Sequence, residues 1–320
     1  MIAADMAAVR SPQGARGLID TPSIRKLLDP APLVRSERNW TAWFGPVISL
    51  ALLAAIFLQI GAFDFATLLG LVPRTPLFWM LFGITYSLTP VFDWMIFHRL
   101  WSIPASGLGP LFRKRLSNEL LLGYLGDVYF YAWARSNVRM AGSPFGAVKD
   151  SALLSGIMGN VVTLAMLGLT FPLLSSLRLT IDSRTLGASL AILLALSILP
   201  MMLARRLFSI PPAQRRMVAA VHFARILINV LLYAWLWHLM LPDVALSWWV
   251  MLSTVRLVLS RLPLVPNKDV LFAGAATFLV GREGQIGEVM AVLASLLLAT
   301  HLAVGLLLGA SGIIRKRRSQ

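Results

Sequence analysis

Apolar segments long enough to cross a membrane recur along this 320-residue chain and constrain its fold more than any other feature. A helix needs about 20 mostly apolar residues to span the hydrocarbon core of a bilayer. Seven segments meet that length: 44–63, 76–97, 152–174, 186–204, 218–240, 245–265 and 286–309. Only 13% of the residues are charged, against about 25% in a soluble domain. The sequence therefore predicts an all-α polytopic membrane protein and argues against a soluble enzyme.

Two further apolar stretches, 119–134 and 266–281, are about 16 residues long, which is too short for a simple crossing. The first contains Glu119 and Asp127, and Lys268 and Asp269 stand at the head of the second. Short, charged segments interrupted by glycine are typical of re-entrant or broken helices, whose backbone lines a cavity inside the protein. We therefore expect one or two such helices beside the full crossings.

The distribution of lysine and arginine predicts the orientation of the chain. Of the 29 basic residues, 21 lie in the N-terminal tail, in three inter-helix stretches (98–118, 135–150 and 205–216) and at the C-terminus. The other inter-helix stretches hold four. Basic residues concentrate in cytoplasmic loops, so both termini are predicted to be cytoplasmic and the number of crossings to be even. We expect about eight transmembrane helices in residues 44–310, between basic cytoplasmic tails at 1–43, expected to be disordered, and 311–320.

The formal net charge of +15 has the same explanation, so we predict no nucleic-acid partner. The absence of cysteine excludes disulfides, iron–sulfur clusters and thiolate zinc sites. The four histidines are too widely spaced for a recognisable metal motif. No nucleophile–base arrangement or phosphate-binding loop is found either. We predict neither metal nor cofactor and no catalytic residues, and we favour a transporter over an enzyme.

Charges within the apolar segments are the candidate functional residues, because an ionised side chain at the bilayer centre costs at least about 2.5–3.5 kcal/mol. Asp93 follows Pro90 on a helix that we expect to be kinked, although an interfacial carboxylate reaching water is an equal alternative. Arg225 lies near the start of its segment and is expected to snorkel to the cytoplasmic surface.

Arg256 and Arg261 lie in the segment 245–265, and two explanations stay open for them. They either form structural ion pairs or bind the headgroup of a lipid. Prolines at 263 and 266 predict the end of this helix, after which a new helix N-terminus offers backbone N–H groups to an anion; an ordinary proline-broken loop is the alternative. The predicted substrate-binding residues are Asp93, Glu119, Asp127, Arg256, Arg261, Lys268 and Asp269.

Residues 118–135 read NELLLGYLGDVYFYAWAR. This motif resembles one in the lysylphosphatidylglycerol synthase transmembrane region, a flippase-like family of bacterial and archaeal integral membrane proteins. Asn118 precedes an apolar run, and Gly126 and Asp127 stand at the family's Gly–acid pair, with Asp in place of the usual Glu.

A second motif, LPLVPNKDVLFAG at residues 262–274, is similar to a late proline-containing segment of the same family. Asn267 and Lys268 stand where that family usually has glycines, and Ala273 where it has glutamate. Spacing and topology resemble the family over most of residues 40–310. No soluble synthase domain is expected here, so the resemblance implies the lipid-translocating part alone.

These observations lead to one preferred hypothesis and two alternatives. The preferred one is a flippase of a bacterial inner membrane that moves a lipid or lipid-linked glycan, with an anionic headgroup passing the charged residues. The alternatives are a membrane-embedded transferase acting on a lipid headgroup, and a scaffold that transports nothing. Homo-oligomerisation is left open.

Overall fold

The computed structural model describes residues 73–121, 124–138, 144–176, 208–261 and 285–317, together with single helical positions at 184, 187, 188, 191, 195, 198, 202, 269 and 272. Regular structure in these ranges is helical, without a strand. The helices are α1 (Pro76–Trp101), α2 (Leu108–Leu120), α3 (Leu125–Asn137), α4 (Phe145–Ser176), α5 (Pro212–Met240), α6 (Leu246–Leu259) and α7 (Gln285–Arg317). A single 3-10 turn, Ala105–Gly107, leads into α2.

Four of these helices are long and apolar enough to cross a membrane. The apolar stretches are Pro76–Trp101 in α1, Phe145–Leu173 in α4, Pro212–Met240 in α5 and Val292–Gly309 in α7. They confirm the apolar segments predicted at 76–97, 152–174, 218–240 and 286–309. The all-α membrane class predicted from the sequence is therefore present in the described residues.

The prediction of about eight crossings finds no such support, since the described residues provide four. The segment 44–63 lies outside the described residues, as do most positions of 186–204 and 266–281. The predicted crossing at 245–265 corresponds to α6, whose 14 residues are shorter than a crossing requires. The predicted segment runs to Val265, but the described helix ends at Leu259.

The outer faces of the long helices are apolar, as expected for contact with lipid. Large hydrophobic side chains are exposed on α1, α4, α5 and α7, among them Met80, Leu169, Phe171, Leu231 and Leu307. A soluble monomer rarely exposes apolar patches on this scale. These faces agree with the membrane environment inferred from composition.

Aromatic side chains fill the interior between the long helices. One cluster joins α1, α5 and α6 and includes Phe78, Phe82, Tyr233, Trp237 and Trp249. A second cluster lies around the C-terminal end of α1 and includes Ile96, Phe97 and Phe130. The second cluster packs α3 and the beginnings of α4 and α5 against α1, and it surrounds the buried charges described below.

The helices α2 and α3 form a hairpin of two 13-residue helices that pack against each other. The hairpin also contacts α1 and α7 through α2, and α4 through α3. Each helix is about 20 Å long at 1.5 Å per residue, short of the roughly 30 Å hydrocarbon core. The stretch predicted at 119–134 as a re-entrant or broken helix therefore contains a break, which falls between Leu120 and Leu125.

Most of the basic inter-helix stretch 98–118 is helical, and three of its cations lie on α2. Lys114 is buried, and Arg113 and Arg115 are half-buried. Arg113 donates to the hydroxyl of Tyr129 and to the backbone carbonyl of Leu308. Lys114 is therefore part of the protein interior, and the side chains of Arg113 and Arg115 are partly covered by contacts with neighbouring helices.

Candidate functional site

A buried ion-pair network connects α1, α2 and α3, and Lys114 stands at its centre. The Lys114 Nζ lies 2.8 Å from Asp93 Oδ2 and 3.1 Å from Asp127 Oδ1. The Asp93 and Lys114 side chains are only 5% and 11% exposed, and that of Asp127 is 16% exposed. One ammonium thus holds two carboxylates, and Asp127 is the more accessible of them. We call these three residues the lysine triad.

The sequence around the hairpin break positions Asp127. Lys114 and Asn118 are four residues apart and therefore share one face of α2. The Asn118 side chain accepts a hydrogen bond from the Gly126 N–H at 2.7 Å and donates one to Asp127 Oδ2 at 3.2 Å. Asp127 lies in the first turn of α3, where the helix dipole favours a negative charge.

Gly126 allows the two short helices to approach this closely. A Cβ at this position would lie 2.0 Å from the Lys114 carbonyl oxygen and 2.7 Å from Asn118 Oδ1. Any side chain would therefore push α3 away from α2 and separate Asp127 from Lys114. The three residues that carry the first resemblance motif, Asn118, Gly126 and Asp127, meet here in space.

Aromatic rings exclude water from one side of the triad. The Lys114 Nζ lies 5.7 Å from the centre of the Phe97 ring and 5.9 Å from that of Phe130. Both rings are fully buried, and a cation near a ring face gains a favourable electrostatic interaction. The network therefore lies in a low-dielectric environment, in which its ion pairs are stronger than at a surface.

Pro90 provides a second polar contact between the hairpin and α1. A proline has no N–H, so the carbonyl four residues earlier, that of Tyr86, loses its helical hydrogen bond. Arg115 donates to this carbonyl, and its guanidinium lies over the Tyr86 ring at 4.6 Å. The helix α1 continues through Pro90 to Trp101, and Arg115 occupies the acceptor that the proline leaves open.

Arg256 belongs to a different ion pair. Its Nε donates to Asp269 Oδ1 at 2.6 Å, its Nη2 lies 2.5 Å from the same oxygen, and its guanidinium lies 3.5 Å from the centre of the Tyr233 ring. Asn229 accepts a further, longer bond of 3.5 Å. Of the two explanations left open for Arg256, this geometry favours the structural ion pair.

Arg261 and Arg225 lie against α4 instead. A Cβ on Gly159 would be 1.9 Å from Arg261 Nη1, and Arg225 Nη2 donates to Ser155 Oγ at 2.8 Å. Ser155 and Gly159 are one helical turn apart on the same face of α4. Arg225 lies more than three turns into α5 and bonds to Ser155 of a neighbouring helix. That it snorkels to the cytoplasmic surface stays a prediction.

The structure thus separates the predicted site residues instead of bringing them into one cluster. Asp93 and Asp127 meet at the lysine triad, whereas Arg256 and Asp269 form a separate ion pair. Arg261 contacts α4, and Glu119 is half-buried on α2 beside Asn118. Lys268 lies outside the described residues.

Sequence reasoning missed Lys114 and His222 as interior residues. Lys114 was hidden by its basic neighbours, although its i, i+4 relation to Asn118 was a usable signal. His222 is buried on α5, and its Nε2 lies 3.1 Å from Ser151 Oγ. A lone histidine on an apolar helix gives no such signal.

Among the described residues, no group of acidic, histidine or cysteine side chains could hold a metal ion. Comparison of the chain with known protein families, with characterised proteins and with solved structures finds no match.

Proposed function

We propose that this protein translocates a lipid with an anionic headgroup, or a lipid-linked glycan, across a bacterial inner membrane. The observation that carries the proposal is the lysine triad, in which a short-helix hairpin brings an ammonium and two carboxylates together among membrane-spanning helices. Ionisable groups inside a membrane protein are costly and usually mark a path for a substrate or an ion.

The two carboxylates of the triad have different roles in this proposal. Asp93 is almost fully buried and keeps Lys114 in place, whereas the more exposed Asp127 exchanges with the headgroup. An anionic headgroup displaces Asp127 from the ammonium, and the return of Asp127 then releases it. A path of this kind must bind strongly enough for entry and weakly enough for exit.

The proposal places both termini in the cytoplasm and the acyl chains in the surrounding lipid. The exposed apolar faces of the long helices support the second part. The distribution of lysine and arginine supports the cytoplasmic placement of both termini. The excess of basic residues in the stretches predicted to be cytoplasmic remains when the three cations of α2 are left out of the count.

Reconstitution tests the proposed function. Vesicles containing the purified protein, loaded with fluorescent headgroup-labelled phosphatidylglycerol, are treated with an outside-only quencher, and the protected fraction is followed over time. We expect exchange between leaflets faster than in protein-free vesicles. Exchange at the protein-free rate, combined with formation of a modified lipid from a lipid donor, would support a transferase in place of a flippase. If neither exchange nor a modified lipid is detected, the scaffold is the remaining hypothesis.

A further inference from the structure

The face of α4 that meets α5 and α6 carries a row of small and polar residues. Ser151, Ser155 and Gly159 follow one another at intervals of four, which places them on one side of the helix. Thr163 continues the row and returns its hydroxyl to the Gly159 carbonyl at 2.7 Å. Small side chains here leave room for longer ones from the neighbouring helices.

Two arginines from different helices occupy that room. Arg225 of α5 bonds to Ser155, and Arg261, just beyond the end of α6, lies against Gly159. Arg261 also donates to Ser260 Oγ at 3.0 Å and, weakly, to the Leu257 carbonyl at 3.5 Å. Ser155 and Gly159 are about 6 Å apart along the helix axis, so the two guanidinium groups are neighbours.

Neither guanidinium has an ion-pair partner among the residues that the structure describes. The four ion pairs recorded there involve Lys114, Lys149 and Arg256 as cations. Two adjacent cations repel each other, and in a membrane interior the repulsion is only weakly screened. Among the described residues, Asp93 is the carboxylate that attracts Arg225 most strongly, and it already pairs with Lys114, so the two guanidinium groups can still accept an anion.

Unpaired nitrogen atoms point to the same conclusion. Arg225 Nε and His222 Nδ1 are both buried without a hydrogen-bond partner. These residues are three apart on α5 and thus share a face. Leaving a buried polar atom unpaired costs about 1–3 kcal/mol, and a phosphate oxygen can accept from the Arg225 N–H, and from His222 Nδ1 in the tautomer that carries its proton there. Both arginines are only half-buried, so a ligand can reach them.

We propose that Arg225 and Arg261 bind a phosphate group on this face of α4. Arginine suits this role because its planar fork donates two parallel hydrogen bonds to phosphate oxygens. The site deepens the proposed function, on which its role in transport rests, by naming phosphate as the anionic group of the headgroup. Phosphate binding itself does not depend on transport and is measured separately.

Gly159 offers a test that leaves both arginines in place. Alanine at 159 would displace the Arg261 guanidinium from α4, and because the displaced group is the end of a flexible side chain, the helix itself need not move. Alanine is also the better helix former by about 1 kcal/mol, so the variant should fold. Gly168→Ala on the same helix is the matched control, since nothing lies within 4 Å of its Cβ.

The experiment measures binding to the purified protein in detergent by thermal shift and calorimetry. The probes are inorganic phosphate, short-chain phosphatidic acid and a diacylglycerol with the same chains but no phosphate. Wild type and Gly168→Ala should bind a phosphate probe, and Gly159→Ala and Arg225→Gln should bind it at least about tenfold more weakly. Arg99→Gln, which removes an exposed cation, should bind as wild type does.

The probes also identify the source of the phosphate. Tighter binding of phosphatidic acid than of inorganic phosphate supports a lipid phosphate, and equal binding supports a site for phosphate from either source. Equal affinities in wild type, Gly159→Ala and Arg225→Gln, or equal binding of diacylglycerol and phosphatidic acid, would overturn the site. Transport without phosphate binding would refute this site alone, and binding without transport would refute the proposed function alone.

Discussion

Replacing Lys114 by methionine should destabilise the protein strongly, because it removes the one cation shared by Asp93 and Asp127. At the observed separations of 2.8 and 3.1 Å, each pair is worth about 5–6 kcal/mol at an effective dielectric constant of 20, before the cost of desolvation. Removing one partner of a buried pair typically costs about 3–5 kcal/mol. For a chain of this size that corresponds to a fall in melting temperature of about 10 °C.

The assay is thermal unfolding of the detergent-purified protein, followed by size-exclusion chromatography. Arg99→Met is the control, since it removes a cation from an exposed position at the end of α1 and should melt with the wild type. The triple variant Lys114→Met, Asp93→Asn, Asp127→Asn should recover most of the loss, because it removes all three charges of the lysine triad together. A Lys114→Met protein that melts within about 2 °C of wild type would refute the buried network.

Three further predictions concern the α2–α3 contact, the Arg256 ion pair and the orientation of the chain. Gly126→Ala should lower the melting temperature by several degrees, because its Cβ would lie 2.0 Å from the backbone carbonyl oxygen of Lys114. Gly109→Ala is the control, since nothing lies within 4 Å of its Cβ. Equal melting temperatures of the two variants would contradict the close approach of α2 and α3. Asp269→Asn should lower the free energy of unfolding by about 3 kcal/mol, because it leaves Arg256 unpaired. Arg256→Lys should retain folding and transport. Loss of transport in a well-folded Arg256→Lys protein would instead favour headgroup binding by Arg256. Reporters fused after Arg115, after Arg216 and at the C-terminus should report cytoplasm, and fusions near Ser183 and Asp243 should report the periplasm. An external C-terminus would overturn the model of eight crossings.

Long apolar segments were predictable from sequence, because the bilayer imposes a length and a composition on any helix that crosses it. This is why α1, α4, α5 and α7 coincide with predicted segments. The boundaries were less predictable: α5 begins at Pro212, six residues before the apolar run at 218, since a helix continues into polar sequence where tertiary contacts support it.

The candidate site was predictable only in its acidic half. Asp93 and Asp127 were conspicuous as carboxylates in apolar surroundings, but Lys114 was not, because a cation between two arginines on a polar stretch is typical of a loop. Its burial depends on the packing of the α2–α3 hairpin, through Gly126 and Asn118, against α1. Likewise, Asp269 as the partner of Arg256, and α4 as the neighbour of Arg261, are consequences of tertiary contacts that sequence separation does not reveal.

Translocation by Asp127→Asn is the most direct test of the central claim that the lysine triad carries the headgroup. Lys114 keeps Asp93 as its partner in this variant, so the amount of folded protein should match wild type. The neutral asparagine side chain at position 127 cannot displace the headgroup from the ammonium, so the headgroup is not released. In reconstituted vesicles we expect leaflet exchange of phosphatidylglycerol to fall to the protein-free rate, and Asp127→Glu to retain part of the activity. Wild-type exchange by well-folded Asp127→Asn would contradict the claim and remove the triad from the transport path.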